Sequence, residues 1–307
     1  MVGAGVSGLT TALMLAEAGV RVQVLADRPP HLTTSADAGA VWGPYAVNDP
    51  RVLVWSMRTL RRMRRCAEDK ESGVRFLDGL EAAQVPAEPP VWASFLPGFR
   101  RAAESELPSG FVSGWRYLTP VLDMPIYLAY LVERLDDLGV AIDTGMHLAS
   151  LDDVAERAGV VVNCSGLGAR ELVADDELEP VMGLLVVVEN PGIEGFFSDY
   201  PECQEPTYFM SQGDHVILGG TIVPPGTEPK PDAEAARLII ERCASVEPLL
   251  AEARVLKYRV NARPSRPFVR LERESLNGRT VIHNYGHGGS GVTLSWGCAQ
   301  DVLALLD

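Results

Sequence analysis

The spacing of hydrophobic residues changes along the chain and predicts where helices and strands lie. The largely apolar run from Leu9 to Ala18 predicts a helix. Between Ile126 and Leu138, leucines recur at intervals of three or four residues, which is a helical period, and Gly139 follows as a stop signal. Residues 51–80 are also predicted to be helical, whereas the prolines of residues 84–120 predict loops.

Short runs rich in valine and other apolar residues predict the strands. They are Val20–Leu25, Val140–Ile142, Gly159–Asn163, Gly183–Val188, Val216–Gly220 and Arg254–Asn261. The third run ends in Cys164-Ser165-Gly166, so it brings small residues to the carboxyl end of a strand. Open α/β sheets bind their ligands at such strand ends.

A glycine motif opens the first helix. Gly3, Gly5 and Gly8 have the G-x-G-x-x-G spacing, and the strand that follows ends at Asp27. In a dinucleotide fingerprint the first glycine makes the tight turn, the second admits the pyrophosphate, and the third lets helix and strand pack closely. Only Met1 and Val2 precede Gly3, whereas a strand usually has about five residues.

A second glycine-rich segment lies near the other end of the chain. Gly286, Gly288, Gly289 and Gly291 run directly into the helix-compatible segment that starts at Val292. Backbone of this kind comes very close to a ligand. The simplest joint interpretation of the two motifs is one ligand held from both ends of the chain.

The segments of dinucleotide type are interleaved with segments of different composition. We therefore predict an α/β chain in which residues 1–50, 137–180 and 275–307 form a Rossmann-like nucleotide-binding domain. Residues 51–136 and 181–274 are predicted to form a second, α+β domain on a mainly antiparallel sheet. At 307 residues the chain exceeds the usual size of a single domain, which agrees with this division.

Composition narrows the class of partner. The formal net charge of −14 disfavours nucleic acid and anionic membrane surfaces. No apolar run reaches the roughly 20 residues of a membrane span, and no signal peptide is evident. The five cysteines include no C-x-x-C pair, so we expect a reducing cytoplasm and no metal site.

With these segments in place, the chain resembles the D-amino acid oxidase family over nearly its whole length. These are FAD-dependent flavoproteins that also include D-aspartate oxidase and, more distantly, glycine oxidase. The matching segments are Val281–Ala299, Ala262–Pro267, Arg270–Glu274, Ala26–Arg28, Leu32–Thr34, Trp42, Pro44–Tyr45 and Val162–Gly166.

The resemblance implies a set of residues around FAD. Those implied for the pyrophosphate are Ala4, Gly5, Val6 and Ser7, and those for the adenosine end are Asp27 and Arg28. Those implied for the phosphates or ribitol are Thr34 and Ser35, and those for the nucleotide half are Leu148 and Ser165. Those implied for the flavin ring are Ala40, Val41, His287, Gly288, Gly289, Ser290, Gly291, Val292 and Thr293.

The resemblance also implies a substrate site without a side-chain acid or base. Arg263 and the Tyr208 hydroxyl would hold the carboxylate of a D-amino acid, and the Gly289 carbonyl would face its amine. A planar guanidinium suits this task because two parallel N–H donors fix the orientation of a carboxylate. Two plainer interpretations stay open: Arg263 as a surface ion-pair partner and Tyr208 as a core aromatic.

Four positions depart from the family pattern. Gln204 stands where a second tyrosine is frequent, Met182 and Leu185 replace polar residues, and Ser290 replaces an aromatic residue. Each change removes bulk or polarity near the pocket. We therefore expect a roomier site that accepts bulky apolar D-amino acids better than acidic ones.

The implied reaction is oxidative deamination of a D-amino acid by hydride transfer from the α-carbon to flavin N5. The products would be a 2-oxo acid, ammonia and hydrogen peroxide, with oxygen as the electron acceptor. Two alternatives remain: an oxidase of a pathway-specific amine or imino acid, and a flavin-binding protein without turnover. A homodimer is compatible with the sequence, which does not decide the oligomeric state.

Overall fold

The structure is a computed structural model that describes residues 1–155, 158–200, 205–223 and 233–306. Within these ranges the helices are α1 (Val6–Glu17), α2 (Val52–Cys66), α3 (Met124–Asp137), α4 (Asp152–Ala155), α5 (Ala169–Leu172), α6 (Ala233–Val246) and α7 (Gly291–Ala304). The strands are β1 (Gln23–Ala26), β2 (Val74–Ala83), β3 (Arg100–Arg101), β4 (Ser113–Leu122), β5 (Ala141–Thr144), β6 (Val160–Asn163), β7 (Glu179–Glu189), β8 (Phe196–Asp199), β9 (Tyr208–Ser211), β10 (His215–Gly219), β11 (Val255–Ser265), β12 (Arg270–Leu276) and β13 (Arg279–Tyr285).

The first sheet has parallel strands at its centre and includes the N-terminus. β1 pairs in parallel with β5, β6 pairs in parallel with β13, and β12 lies antiparallel beside β13. Val2 forms parallel bridges to both Leu25 and Asn163 and so joins the two groups of strands. The Val2 amide donates to the Val162 carbonyl at 2.9 Å, and the Gly3 amide donates to the Leu25 carbonyl at 2.8 Å. The few residues before the glycine motif thus occupy the central position of the sheet.

The second sheet is mainly antiparallel. It has eight strands in the order β11-β7-β10-β9-β8-β2-β4-β3, and β2 and β8 run parallel. β7 is buried on both faces over most of its length, which explains its continuous run of valines and leucines. The predicted mixed α/β fold is therefore confirmed.

The helices α1 and α7 pack against each other between the sheet and the rest of the core. Both are apolar on nearly every side because both are almost fully buried. α2 packs on α7 so closely that a Cβ at Gly297 would lie 2.3 Å from the Trp55 carbonyl oxygen. The largest core cluster extends from these helices to the cavity-facing side of β4 and β7.

Two expectations about secondary structure were wrong. The predicted helix over residues 51–80 ends at Cys66, and β2 begins at Val74 after a turn at Gly73, whose φ is 71°. The last five residues of β2 are buried and the strand is paired on both sides, so sheet packing outweighs the local pattern. Residues 84–120, predicted as loops, contain β3 and most of β4.

The predicted domain boundary at 274/275 falls inside β12, which pairs with β13 along its whole length. The domain ranges otherwise stay a prediction. Of the helices in the described ranges, none is long and apolar enough to span a membrane.

Candidate active site

A cavity of about 630 Å³ is lined by residues from both sheets and from both ends of the chain. This volume is within the usual range for cofactor and small-molecule sites. The predicted residues that line it are Ala4, Gly5, Val6, Ser7, Asp27, Arg28, Thr34, Ser35, Ala40, Val41, Leu148, Ser165, Tyr208, Arg263, His287, Gly288, Gly289, Gly291, Val292 and Thr293.

The N-terminus of α1 opens on this cavity. Its N-cap residue Gly5 makes no side-chain capping bond, and the Val6 amide donates to Ser35 Oγ at 3.0 Å. A Cβ at Gly8 would lie 2.0 Å from the Gly3 carbonyl oxygen, so the helix meets the preceding turn without room for a side chain. The first-turn amides and the helix dipole together form a site suited to an anion such as a pyrophosphate.

The N-terminus of α7 opens on the same cavity. It too lacks a side-chain cap, and no acidic residue lies in its first turn. The Thr293 hydroxyl donates to the Gly43 carbonyl at 3.0 Å and accepts from the Gly43 amide at 3.2 Å, which leaves the α7 amides free of that side chain. These amides suit a ligand that gains negative charge during a reaction.

His287 connects the two ends of the chain. Its Nε2 lies 3.0 Å from Asn284 Oδ1, and its Nδ1 lies 3.4 Å from the Ser7 hydroxyl at the start of α1. Because Asn284 Nδ2 donates to Thr11 Oγ1, Asn284 Oδ1 is the acceptor, and His287 carries its proton on Nε2. Burial lowers the pKa of His287 to about 4, so the ring is neutral and its Nδ1 accepts from Ser7.

The charged residues predicted for the adenosine end lie at the outer edge of the cavity. Arg28 Nε is 3.7 Å from Asp27 Oδ2, and both side chains are mostly exposed. His147 Nδ1 is 3.6 Å from Asp27 Oδ1. A nucleoside at this edge would have polar partners and access to water.

Arg263 and Tyr208 lie together on the side of the cavity formed by the second sheet. Burial raises the pKa of Tyr208, and the adjacent, hydrogen-bonded guanidinium of Arg263 acts against this rise. Arg263 Nη1 is buried and has no hydrogen-bond partner among the described residues. A buried, unsatisfied guanidinium donor beside a phenol has the chemistry that suits a carboxylate.

The C-terminal glycine-rich loop reaches this pair. A Cβ built on Gly289 would lie 3.7 Å from Arg263 Cδ, and the Gly289 amide is 3.3 Å from the Ala46 carbonyl oxygen. Arg263, Tyr208 and Gly289 are therefore brought together, although their separation in sequence is large. Their roles with a substrate remain proposals.

Much of the remaining wall at this end of the cavity is apolar and aromatic. It is formed by Tyr45, Leu185, Phe196, Met210 and Ile222. The Tyr45 hydroxyl donates to the buried Glu81 at 3.0 Å, so the phenol group is turned into the protein. These side chains present hydrophobic surface beside the guanidinium, and Ser198 and Asp199 add polar groups to the lining near Tyr208.

Of the four positions that depart from the family pattern, some line the cavity and others do not. Leu185 is part of the cavity wall, whereas Met182 lies in β7 opposite Ala262 and does not line the cavity. Ser290, predicted as a flavin contact, does not line it either: it is 1% exposed, and its hydroxyl donates to the Tyr45 carbonyl. Gln204 lies outside the described residues.

Sequence reasoning missed Gly219, which sets the position of Tyr208. Gly219 pairs with Tyr208 across β10 and β9, and a Cβ there would lie 1.9 Å from Tyr208 Cζ. The phenol ring therefore lies flat on the glycine backbone. The signal available in the sequence was the pair Gly219-Gly220 at the end of a strand, where a close approach of other groups is common.

The residues present fit FAD. Two helix N-termini without a side-chain bond from the N-cap residue face one cavity, and one suits a pyrophosphate and the other a ring that accepts electrons. The close contact at Gly8 is the one that the dinucleotide fingerprint requires.

Comparisons with known proteins agree with this geometry. Residues 1–305 match the family described as FAD dependent oxidoreductase. Proteins named D-amino-acid oxidase from Rubrobacter xylanophilus and Streptomyces coelicolor are 46% and 44% identical to the chain, over 99% of it and over 94% and 95% of their own lengths. The crystal structure of glycine oxidase from Geobacillus kaustophilus superposes with a TM-score of 0.79 at 17% identity, over 99% of this chain and 93% of that one, and shows the same fold. The chain belongs to the FAD dependent oxidoreductase family, and FAD is its cofactor.

Proposed function

We propose that this protein oxidises D-amino acids to 2-oxo acids, ammonia and hydrogen peroxide. The observation that carries the proposal is the buried Arg263 Nη1, which lacks a partner among the described residues and lies beside Tyr208 in the cavity wall. The two relatives named D-amino-acid oxidase support the same activity, since they match the chain along its whole length.

The protein's part in this reaction is to bind and orient. Arg263 and the Tyr208 hydroxyl hold the substrate carboxylate, which fixes the α-carbon relative to the cofactor, and Gly289 offers its carbonyl to the amine. FAD, when bound, supplies the acceptor for the hydride that leaves the α-carbon and later passes the electrons to oxygen. Positioning of this kind can contribute about 7–11 kcal/mol of barrier reduction without an acid or base from the protein.

The walls favour neutral, apolar side chains. Among the described lining residues the cations other than histidines are Arg28, at the outer edge, and Arg263. A second carboxylate beside Leu185, Phe196 and Met210 would be buried without a partner, at a cost of several kcal/mol. We therefore expect kcat/KM for D-methionine or D-leucine to exceed that for D-aspartate by at least about 100-fold, which is about 2.7 kcal/mol.

Peroxide release from matched D- and L-amino acids tests the activity. Purified, yellow protein should release peroxide with neutral D-amino acids and not with their L-forms. Fastest turnover on D-aspartate would contradict the assignment of the pocket, although not the activity itself.

The two alternatives give different outcomes in the same experiment. Yellow protein that is inert on every D-amino acid but oxidises a secondary amine or imino acid would establish the amine-oxidase alternative. Yellow protein inert on all of them would establish flavin binding without turnover.

The expected location is the cytoplasm. Cys66, Cys164, Cys243 and Cys298 are buried free thiols, as is usual in reducing compartments. Cell fractionation with a reporter fused to the chain tests this directly.

A further inference from the structure

One stretch of the cavity wall is held from behind by the second sheet. Residues Ala38, Gly39, Ala40 and Val41, here called the inner wall, line the cavity and run beside the end of β4. The Trp42 amide, immediately after this segment, donates to the Pro120 carbonyl at 2.8 Å. The inner wall is therefore fixed to β4 at one end.

The carbonyls of the inner wall point away from the cavity. The Ala38 carbonyl lies 3.5 Å from Arg259 Nη1, and the Gly39 carbonyl accepts from Gln212 Nε2 at 2.9 Å. The Ala40 carbonyl accepts from the Leu122 amide at 2.9 Å. Three successive carbonyls are thus bound by groups of the second sheet.

This arrangement directs three amides to the opposite side. In a trans peptide the C=O of one residue and the N–H of the next point in opposite directions. The amides of Gly39, Ala40 and Val41 therefore face the cavity. Among the described residues, no hydrogen-bond acceptor lies within reach of them. Ala40 has φ of 57°, a left-handed conformation that is uncommon outside glycine and clusters at functional sites.

Gln212 is the side chain that fixes the orientation of the peptide between Gly39 and Ala40. It lies in the turn between β9 and β10, is 3% exposed, and its Nε2 also donates to the Leu122 carbonyl at 2.7 Å. Its Oε1 lies 3.1 Å from His215 Nε2. Both hydrogens of the amide nitrogen are used, so one side chain connects the inner wall to β4.

We propose that Gln212 is a positioning residue: by binding the Gly39 carbonyl, it holds the Ala40 amide of the inner wall as a donor to the flavin. Donors fixed in a buried cavity stabilise negative charge that develops opposite them. The inner wall amides therefore favour the reduced cofactor and raise its midpoint potential. The inference concerns the cofactor that family membership gives this cavity, and it does not depend on which substrate is oxidised.

The test compares the two-electron midpoint potential of wild type with Gln212→Glu and Gln212→Met. Gln212→Glu keeps the acceptor for His215 and removes the donor, whereas Gln212→Met removes both without adding a charge. Both variants are expected to bind FAD and to favour its oxidised form by at least tenfold, which is about 30 mV for a two-electron couple. A shift confined to Gln212→Glu would come from its charge and would overturn the proposal.

Asn190→Asp is the matched control. Asn190 lies just after β7, and its Nδ2 donates to the Ile193 carbonyl at 2.9 Å and to the Gly213 carbonyl at 2.7 Å, so it contacts the β9–β10 turn away from the inner wall. The control is expected to lower stability and leave the potential unchanged. An equal shift in the control would show that hairpin stability, and not amide position, sets the potential.

Hydrogen exchange on the wild-type protein tests the same point without a variant. The backbone amides of Gly39, Ala40 and Val41 should exchange at least tenfold more slowly when FAD is added to the apoprotein. Unchanged exchange in this segment would overturn the proposal. Neither measurement uses a substrate, so absence of oxidase activity would contradict the proposed function and leave this inference standing.

Discussion

At the residue scale, the site depends on one guanidinium whose unsatisfied donor is buried. Arg263 has a phenol neighbour and a glycine loop within reach, and Nη1 lacks a partner in the described part of the chain. Leaving such a donor unsatisfied costs about 1–3 kcal/mol, and more for a charged group. The carboxylate that we propose to bind here would remove this cost, so stability and substrate binding would be coupled at this residue.

Replacement of Arg263 should separate charge from geometry. Arg263→Lys keeps the charge but loses the two parallel donors, so KM is expected to rise about 10- to 100-fold. Arg263→Met should lower kcat/KM by more than about 1000-fold. Steady-state kinetics with the flavin absorbance as a check on FAD content will measure both.

Arg254→Lys is the control for this series. Arg254 lies just before β11, is 70% exposed and pairs with Glu189 at 3.1 Å on the surface. Its replacement should leave KM unchanged, because exposed pairs contribute little. If Arg263→Lys also leaves KM unchanged, the carboxylate is held elsewhere.

At the scale of elements, the start of α1 is set by contact between two glycines. A Cβ at Gly8 would lie 2.0 Å from the Gly3 carbonyl oxygen and 2.9 Å from its carbonyl carbon, so the backbone would have to move. The displaced helix would take its first-turn amides away from the cavity. A single methyl group added at Gly8 is therefore expected to displace the whole N-terminal turn of α1.

Gly8→Ala should weaken FAD binding and lower the free energy of unfolding by about 1–3 kcal/mol. Gly159→Ala is the comparison, since a Cβ there meets nothing within 4 Å. Flavin-fluorescence titration of the apoprotein and urea unfolding will measure the two quantities. Equal FAD affinity in both variants would show that α1 does not bind the cofactor.

The same elements show what the sequence could and could not predict. The glycine spacing and the apolar runs of α1 and α7 predict the nucleotide-binding part of the fold. Close packing requires small and apolar residues, and these can be recognised in the local sequence. Residues 74–80 of β2 were predicted as helix, because the pairing with β4 and β8 that makes them a strand comes from residues far away in sequence. The roles of Gly219 and Gln212 could not be predicted for the same reason. They depend on tertiary contacts among β9, β10 and the inner wall.

At the scale of the whole molecule, His287 links the first helix to the C-terminal loop. Its bonds to Ser7 and Asn284 require the neutral ring, and burial lowers its pKa to about 4. The unfolded chain binds a proton at this residue near pH 6.5, the ordinary value for histidine. The stability that the neutral ring contributes is therefore fully present above about pH 6.5 and is lost as the pH falls towards 4.

Acid should accordingly destabilise the protein through this residue by about 3 kcal/mol in total. Urea unfolding at pH 7.5, 6, 5 and 4 measures the effect, and His287→Gln should show a shallower loss over the same range. The difference between the two proteins isolates His287 from His283, whose pKa burial also lowers. Parallel pH curves for the two proteins would refute the assignment.

The closing of the cavity by α7 has a consequence for how the protein is made in the cell. Domains fold as the chain leaves the ribosome, beginning at the N-terminus. The glycine motif at Gly3–Gly8 emerges well before the loop and helix that complete the cavity, which span residues 286–304. FAD therefore has no complete site on the nascent chain. The cofactor can be fully held only after α7 has emerged, so the supply of riboflavin during growth should set the fraction of active protein and not the amount of chain produced.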